Sequence, residues 1–344
     1  MTERTSHFTR RDWLHRSSMA VATMALAQRI GAEDPAQAKE LPTLVKPGLF
    51  KSLTEPPCSY CSTQHRKGLI RDDDLVVAWI RGAHNGGAIP VRHFLAGPRV
   101  INDTYGLFFY DPGAGCAAAY KKDYGYEFHG WRGGIMLVKG RDGTIWSCLS
   151  GLAVDGPRKG ERLERIPSLT TNWGLWRMLH PESTAYDLFD GKKYAVTELP
   201  GEPHPDSVRT IGKVDERLPK DQLVHGVEMG QARRAYPLDA KVERACFVDQ
   251  VGGVKLAVFW YGPTQSSVAF RAELPGRPMT FYADSVSPET APFMDRETGT
   301  RWSLAGRGID GKLRGQELTW VPGIQAKWYA WSNENPETRM KTGP

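Results

Sequence analysis

Two cysteines separated by two residues, Cys58 and Cys61, are the side chains whose spacing points most directly to chemistry. This spacing allows both sulfurs to reach one metal ion or to close a small disulfide. His65 follows four residues after Cys61 and offers a nitrogen ligand. Three interpretations stay open: a structural disulfide, a metal site and a thiol–disulfide exchange site. A haem attachment site is excluded, because Ser62 stands where that motif needs histidine.

A metal site here needs a further ligand, for which Cys116, His93 and His180 are candidates. A mixed sulfur and nitrogen set suits zinc or copper. Glu182 lies two residues after His180 and can orient its ring. A histidine that acts as a general base or as a metal ligand needs such an orienting partner. The predicted metal ligands are Cys58, Cys61, His65, Cys116 and His180.

Familiar catalytic signatures do not occur in the chain. There is no Gly-x-Ser-x-Gly, no His-Glu-x-x-His and no phosphate-binding glycine loop. The sequence therefore predicts neither a catalytic residue nor a residue that binds an organic cofactor. Cys148 and Cys246 are interpreted as buried and chemically inert.

Short segments of branched and aromatic residues, bounded by Gly, Pro, Asn or Asp, predict strands through most of the chain. Examples are residues 75–80, 106–110, 135–138 and 255–261. Residues 173–179 show the spacing of a helix, with Trp173 and Trp176 on one face. The predicted fold is mainly β with few short helices.

The two halves of the chain carry nearly the same series of motifs. Residues 142–147 in the first half match residues 298–303 in the second, and the motifs that follow keep the same order. We therefore predict two similar β-rich repeats related by a pseudo-twofold axis. Paired tryptophans indicate a shared core or a domain interface rather than a sugar-stacking surface. The pairs are Trp146 with Trp302, Trp173 with Trp328, and Trp176 with Trp331.

The first residues resemble a twin-arginine export signal. Arg10 and Arg11 precede a weakly apolar run, and the small residues Ala36 and Ala38 suit a signal peptidase. The run is too short to span a bilayer. We expect a signal peptide at 1–38 and an extracytoplasmic protein, periplasmic or secreted, without a transmembrane span after the signal is removed.

The remaining segments follow from composition. The chain has 344 residues, enough for two domains of ordinary size. We expect a lead-in at 39–57, a first repeat at 58–187, a Pro-rich and Gly-rich linker at 188–221, and a second repeat at 222–344. The net charge of +6 is spread without a basic run, which argues against nucleic-acid binding.

Several of these motifs resemble those of a bacterial family of unassigned activity, the domain-of-unknown-function family 3179 (DUF3179). Residues 102–104, 295–303 and 173–184 match its pattern closely. The resemblance implies two tandem copies over roughly residues 70–340. The family's Tyr-Cys-Pro-x-Cys segment, however, is residues 110–114 here, where Asp111 and Ala114 replace the cysteines. The corresponding segment of the second copy, residues 261–265, also lacks both cysteines. The closing histidine of the pattern is His180 in the first copy, and Asn335 replaces it in the second.

Two functions of different classes remain. The first is an exported, non-catalytic scaffold for binding or assembly, with a protein or a small ligand as its partner. The second is an extracytoplasmic metal-binding or thiol-redox protein that uses the Cys58 and Cys61 pair. Whether the protein is an enzyme stays undecided at this stage, because family resemblance alone gives no mechanism.

Overall fold

The structure is a computed structural model that describes residues 40–81, 85–95, 99–188 and 202–343. The predicted signal peptide at 1–38 lies outside the described residues, as does the central part of the predicted linker. The described residues from Leu41 onward form one compact unit.

The fold is mainly β, as predicted. Up to residue 188, the described segments contain strands β1 Thr43–Val45, β2 Leu53–Thr54, β3 Cys58–Tyr60, β4 Leu75–Arg81, β5 Asn85–Pro90, β6 Val100–Asn102, β7 Leu107–Asp111, β8 Cys116–Tyr120, β9 Glu127–Arg132, β10 Ile135–Lys139, β11 Ile145–Ser147, β12 Ala153–Asp155, β13 Ser168–Asn172 and β14 Thr184–Tyr186.

A second series of strands follows the interrupted region. These are β15 Leu223–Met229, β16 Ala232–Pro237, β17 Arg244–Val251, β18 Val254–Tyr261, β19 Ser266–Arg271, β20 Glu273–Leu274, β21 Arg277–Pro278, β22 Phe281–Ala283, β23 Phe293–Asp295, β24 Arg301–Trp302, β25 Gly308–Asp310, β26 Trp320–Val321, β27 Gly323–Lys327 and β28 Arg339–Met340. The helices of the described residues are short: α1 Cys61–Lys67, α2 Val91–Leu95, α3 Trp173–Leu179, α4 Pro205–Arg209 and α5 Trp328–Glu334.

The sheets recur in the same order along the chain. The order β13-β4-β5-β14 is matched later by β27-β15-β16-β28, and β9-β10-β11-β12 by β22-β23-β24-β25. Strands β6-β7-β8 correspond in the same way to β17-β18-β19. Helices α3 and α5 each follow the first strand of the matching sheet order, β13 and β27.

Two hairpins are closed by glycine pairs. Gly133 and Gly134 join β9 to β10 with φ of 63° and 79°, and Gly252 and Gly253 join β17 to β18 with φ of 55° and 82°. A two-residue hairpin turn with positive φ at both positions follows the right-handed twist of the strands. Glycine adopts this conformation without a steric cost, so each pair fixes the register of its hairpin.

The two largest hydrophobic clusters of the described residues combine side chains from both halves of the chain. One large cluster joins Phe109 and Trp146 to Trp328 and Trp331. Another joins Trp173 and other early residues to the buried side chains of β18 and β19. The early sheet around β4 and β13 thus packs with late strands, and the late sheet around β15 and β27 packs with early ones. Burial in either cluster depends on both halves.

All six paired tryptophans are buried, in agreement with the predicted core role. The indole Nε1 of Trp176 donates to Ser183 Oγ at 2.9 Å, and that of Trp331 donates to Thr338 Oγ1 at 3.0 Å. Each tryptophan of this pair therefore anchors the strand that follows its helix. Within the described residues, no helix has the length and apolar character needed to cross a membrane.

Candidate functional site

The Cys58 and Cys61 pair has one exposed and one buried member. Cys58 lies on β3 and is exposed, whereas Cys61 opens α1 and is buried. The Cys61 Sγ lies 3.0 Å from Ser183 Oγ. Burial raises the pKa of the Cys61 thiol to about 11, although the Ser183 hydrogen bond acts in the opposite direction. Because the thiolate is the nucleophilic and metal-binding form, this pKa opposes both kinds of chemistry at Cys61.

The other predicted ligands lie on separate elements. His65 is exposed in the last turn of α1, and His180 caps the C-terminus of α3. Cys116 is buried on β8, where its sulfur lies 4.0 Å from the sulfur of Cys148. In the segments that the structure describes, no three His, Cys, Asp or Glu side chains are grouped as a metal ion requires. A zinc or copper site at these residues therefore stays a prediction.

His180 lines a cavity, which we call the His180 cavity. Its volume is about 280 Å³, and it lies where β4 and β13 approach β19 and β26. Its lining residues are Ile80, Pro167, Ser168, Leu169, His180, Val268, Phe270, Ala305, Arg307, Glu317, Leu318 and Trp320.

Strand alternation explains the apolar wall of this cavity. Along β13 every second residue is buried, and Leu169 is one of them. Strand β4 pairs with β13 and contributes Ile80 from its far end. On the opposite side, Val268 and Phe270 are two positions apart on β19, so they point to the same face. Both strands therefore turn apolar side chains into the cavity.

His180 brings a polar group to this apolar wall. Its ring centroid lies 4.3 Å from that of Trp176, one helical turn earlier. Its Nε2 is buried and has no hydrogen-bond partner among the described residues. Burial lowers the pKa of His180 to about 4, and the positive charge of Arg307 acts in the same direction. The imidazole is thus neutral at pH 7, and the hydrogen-bonding position at its Nε2 is unused.

Arg307 and Glu317 carry the charges of this cavity. Both are exposed, and they face each other across an isolated antiparallel bridge. A buried polar atom without a partner costs roughly 1–3 kcal/mol, which a ligand that hydrogen-bonds to it recovers. The cavity thus has apolar walls, a neutral His180 and two exposed side chains of opposite charge, of which Arg307 is the one whose charge acts on His180. Such a lining suits a small apolar molecule that carries one acceptor group.

Sequence reasoning identified His180 but missed the rest of this lining. One signal was available in the sequence, because His180 and Arg307 lie at positions where the two halves carry different residues. In the repeat alignment Asn335 stands opposite His180, and Leu152 stands opposite Arg307. Asn335 is buried and its amide donates to the carbonyl of Trp331 at 3.2 Å, so it is satisfied internally. The combination of His180 and Arg307 therefore does not recur at the matching positions of the other half.

No curated protein and no solved structure is significantly similar to the chain. A family model does match it, over residues 135–338, which is more than half of the chain and includes nearly all of the His180 cavity. The chain therefore belongs to the family described as protein of unknown function, DUF3179.

Proposed function

We propose that this protein is an exported binding protein whose His180 cavity holds a small, largely apolar carboxylate. The observation that carries the proposal is the buried, unpartnered Nε2 of His180 in an apolar cavity beside Arg307. Apolar walls supply affinity, and a few polar groups fix the orientation of a ligand. The carboxylate is favoured because Arg307 supplies a positive charge near the neutral His180.

The size of the cavity limits the ligand. An engineered apolar cavity of about 150 Å³ binds benzene. The His180 cavity, at about 280 Å³, is large enough for a medium-chain fatty acid or a bicyclic aromatic acid. The half-buried indole of Trp320 lies in its wall and provides a fluorescent reporter of occupancy.

Octanoate is expected to bind to the protein with one site, as measured by calorimetry and by tryptophan fluorescence. Arg307→Leu, which introduces the residue found at the matching position of the first half, should weaken octanoate binding roughly tenfold, because a charged hydrogen bond is lost. Binding of the uncharged analogue octanol should not change. Arg314→Leu, at an exposed position outside the cavity, is the matched control.

A second variant separates cavity binding from surface adsorption. Val268→Phe adds volume to the wall and should abolish binding of both octanoate and octanol, with the folded state checked by circular dichroism. If Val268→Phe binds octanoate as well as the unchanged protein does, or if Arg307→Leu and Arg314→Leu behave alike, the proposed site is wrong.

The repeated organisation is part of the same proposal. We infer that the chain arose by duplication of one DUF3179-like unit, with a second copy that includes β4 to β14. The recurring sheet orders and the equivalent bonds of Trp176 and Trp331 support this inference. In this view the region around His180 kept a cavity with polar groups. In the equivalent region of the other half, the side chain of Asn335 forms a hydrogen bond within the protein instead.

Export is expected from the sequence at Arg10 and Arg11. Residues 1–38, fused to a fluorescent reporter that folds before transport, should direct it across the inner membrane of a bacterial host. Replacing both arginines with lysine should abolish this transport, because the twin-arginine signal is read through that pair. A reporter that stays in the cytoplasm with the native segment would contradict the prediction.

The alternative function, metal binding or thiol redox chemistry at Cys58 and Cys61, has weaker support. The raised pKa of Cys61 keeps its sulfur protonated at neutral pH. Elemental analysis of the purified protein tests it directly, since near-stoichiometric zinc or copper would favour the metal site over the binding proposal.

A further inference from the structure

Arg307 and Glu317 are opposite charges of the His180 cavity that do not pair with each other. The two residues face each other in an antiparallel bridge, a position at which Cα atoms lie about 4.5–5.5 Å apart. Opposite charges at directly facing positions attract each other. Neither side chain, however, forms an ion pair or a hydrogen bond among the residues that the structure describes. Both charged groups are therefore open to a molecule in the cavity.

The matching region of the other half shows the same position with its charge paired. Arg162 stands there at the position of Glu317, in the equivalent bridge. Its guanidinium lies 2.8 Å from Glu228 Oε2. Strand β15 pairs with β27 as β4 pairs with β13, which places Ile80 at the position of Glu228. The His180 cavity therefore has isoleucine where the other half supplies the partner charge.

A simple carboxylate uses only part of this arrangement. Arg307 can bind a carboxylate through two parallel N–H groups, but the nearby carboxylate of Glu317 repels it. An ammonium group beside the ligand's carboxylate offsets this repulsion and donates to Glu317. Because Arg307 and Glu317 begin at facing positions, the two charges of the ligand are expected close together, as they are on the α-carbon of an amino acid. The unpartnered Nε2 of His180 can accept from the ammonium or donate to the carboxylate, according to its tautomer.

We propose that the His180 cavity binds a free α-amino acid with an apolar side chain, such as phenylalanine or norleucine. This inference rests on the proposed function and narrows its class of ligand. Arg307 binds the carboxylate, Glu317 binds the ammonium, and Leu169 and Phe270 belong to the wall that covers the side chain. Phenylalanine has twice as many non-hydrogen atoms as benzene, and the cavity of about 280 Å³ has roughly twice the volume of one that holds benzene.

Three ligands with the same apolar body test the proposal on the unchanged full chain. They are phenylalanine, 3-phenylpropionate, which lacks the ammonium group, and 2-phenylethylamine, which lacks the carboxylate. Calorimetry should show that phenylalanine binds roughly tenfold more tightly than either analogue, because each analogue leaves one charge of the cavity without a partner. The comparison does not depend on the folding of any variant.

The possible failures of this experiment are distinct. If 3-phenylpropionate binds as tightly as phenylalanine or more tightly, the amino acid inference is wrong and the proposed carboxylate site stands. If octanoate and all three phenyl compounds fail to bind, the proposed function is wrong as well.

A pair of isomers tests whether the two charges lie at one end of the ligand. Norleucine carries both charges on one carbon, whereas 6-aminohexanoate carries them at opposite ends of a chain with the same atoms. We expect 6-aminohexanoate to bind at least tenfold more weakly, because one of its charges would have to enter the apolar part of the cavity. Equal affinities would contradict the placement of both charges at Arg307 and Glu317.

Glu317→Gln keeps the shape of the side chain and removes its charge. Phenylalanine should bind this variant roughly tenfold more weakly, whereas 3-phenylpropionate should bind it more tightly, because the repulsion is gone. A loss of the fold would weaken both ligands, so the opposite directions identify the role of the charge. Glu337→Gln, at an exposed position outside the cavity, is the matched control. If the two variants bind phenylalanine equally well, Glu317 does not hold the ammonium group and the inference is wrong.

Discussion

Asp295→Ala is expected to lower the free energy of unfolding by about 3 kcal/mol, because one buried and two half-buried donors lose their acceptor at once. Asp295 is fully buried at the end of β23. It accepts the indole N–H of Trp302 at 2.8 Å, and both the N–H and the hydroxyl of Thr298, at 2.6 and 2.8 Å. Urea denaturation monitored by tryptophan fluorescence measures the loss.

The first half of the chain supplies a matched control for this prediction. Trp146 corresponds to Trp302, but Gly140 takes the place of Asp295, since the Gly140 N–H donates to the carbonyl of Thr144 as the Asp295 N–H does to that of Thr300. The Trp146 Nε1 has no hydrogen-bond partner among the described residues. Trp302→Phe should therefore cost about 1–2 kcal/mol more than Trp146→Phe, since only the former removes a bond to a carboxylate. Equal costs for the two substitutions would contradict the role assigned to Asp295.

A double-mutant cycle isolates the bond itself. Asp295→Ala and Trp302→Phe should be less destabilising together than the sum of the two single changes, with a coupling of about 1–2 kcal/mol. Additive effects would mean that Asp295 acts through Thr298 rather than through Trp302.

Acidification from pH 7 to pH 5 is expected to destabilise the fold strongly through His93, His180 and His225. Burial lowers the pKa of His93 and of His180 to about 4, and that of His225 to about 3. The usual value of 6.5 applies in the unfolded chain, so the unfolded state binds more protons throughout the window from about 6.5 down to about 4. Stability is therefore retained above pH 6.5 and lost as the pH falls through this window.

The expected loss by pH 5 is about 2 kcal/mol for each histidine. Asp111 and Glu334 oppose this trend, because burial raises their pKa values and protonation then favours the folded state. Free energies of unfolding from urea titrations at pH 5, 6 and 7 give the slope. His225→Gln should reduce this slope by about a third, whereas His65→Gln, at an exposed position, should leave it unchanged.

Of the three histidines, His225 provides the most discriminating test, because its surroundings leave no room for a hydrated charge. Its Nδ1 lies 2.9 Å from Ser267 Oγ, and its Nε2 has no partner among the described residues. Gly323 packs directly over the ring, since a Cβ at that position would come within 2.4 Å of Nε2. A slope that does not change in His225→Gln would show that this histidine becomes hydrated before the fold opens.

Local patterns in the sequence were sufficient for the fold class and for most individual elements. The predicted strands at 75–80, 135–138 and 255–261 are β4, β10 and β18, and the predicted helix at 173–179 is α3. Alternation, helical spacing and turn residues act over a few positions along the chain, so they can be read without knowing the partners of an element. The burial of the paired tryptophans followed from a different signal, the recurrence of the same motifs in both halves of the chain.

Tertiary structure alone decided where the chemistry lies. The walls of the His180 cavity come from β4 and β13 on one side and from β19 and β26 on the other. Cys116 and Cys148 meet although they are 32 positions apart, while the adjacent Cys58 and Cys61 differ in burial. Local periodicity specifies which face of a strand is buried, but it does not specify which distant strand covers that face. The two largest cores are completed by residues from both halves of the chain, so the His180 cavity arises only when the halves pack together.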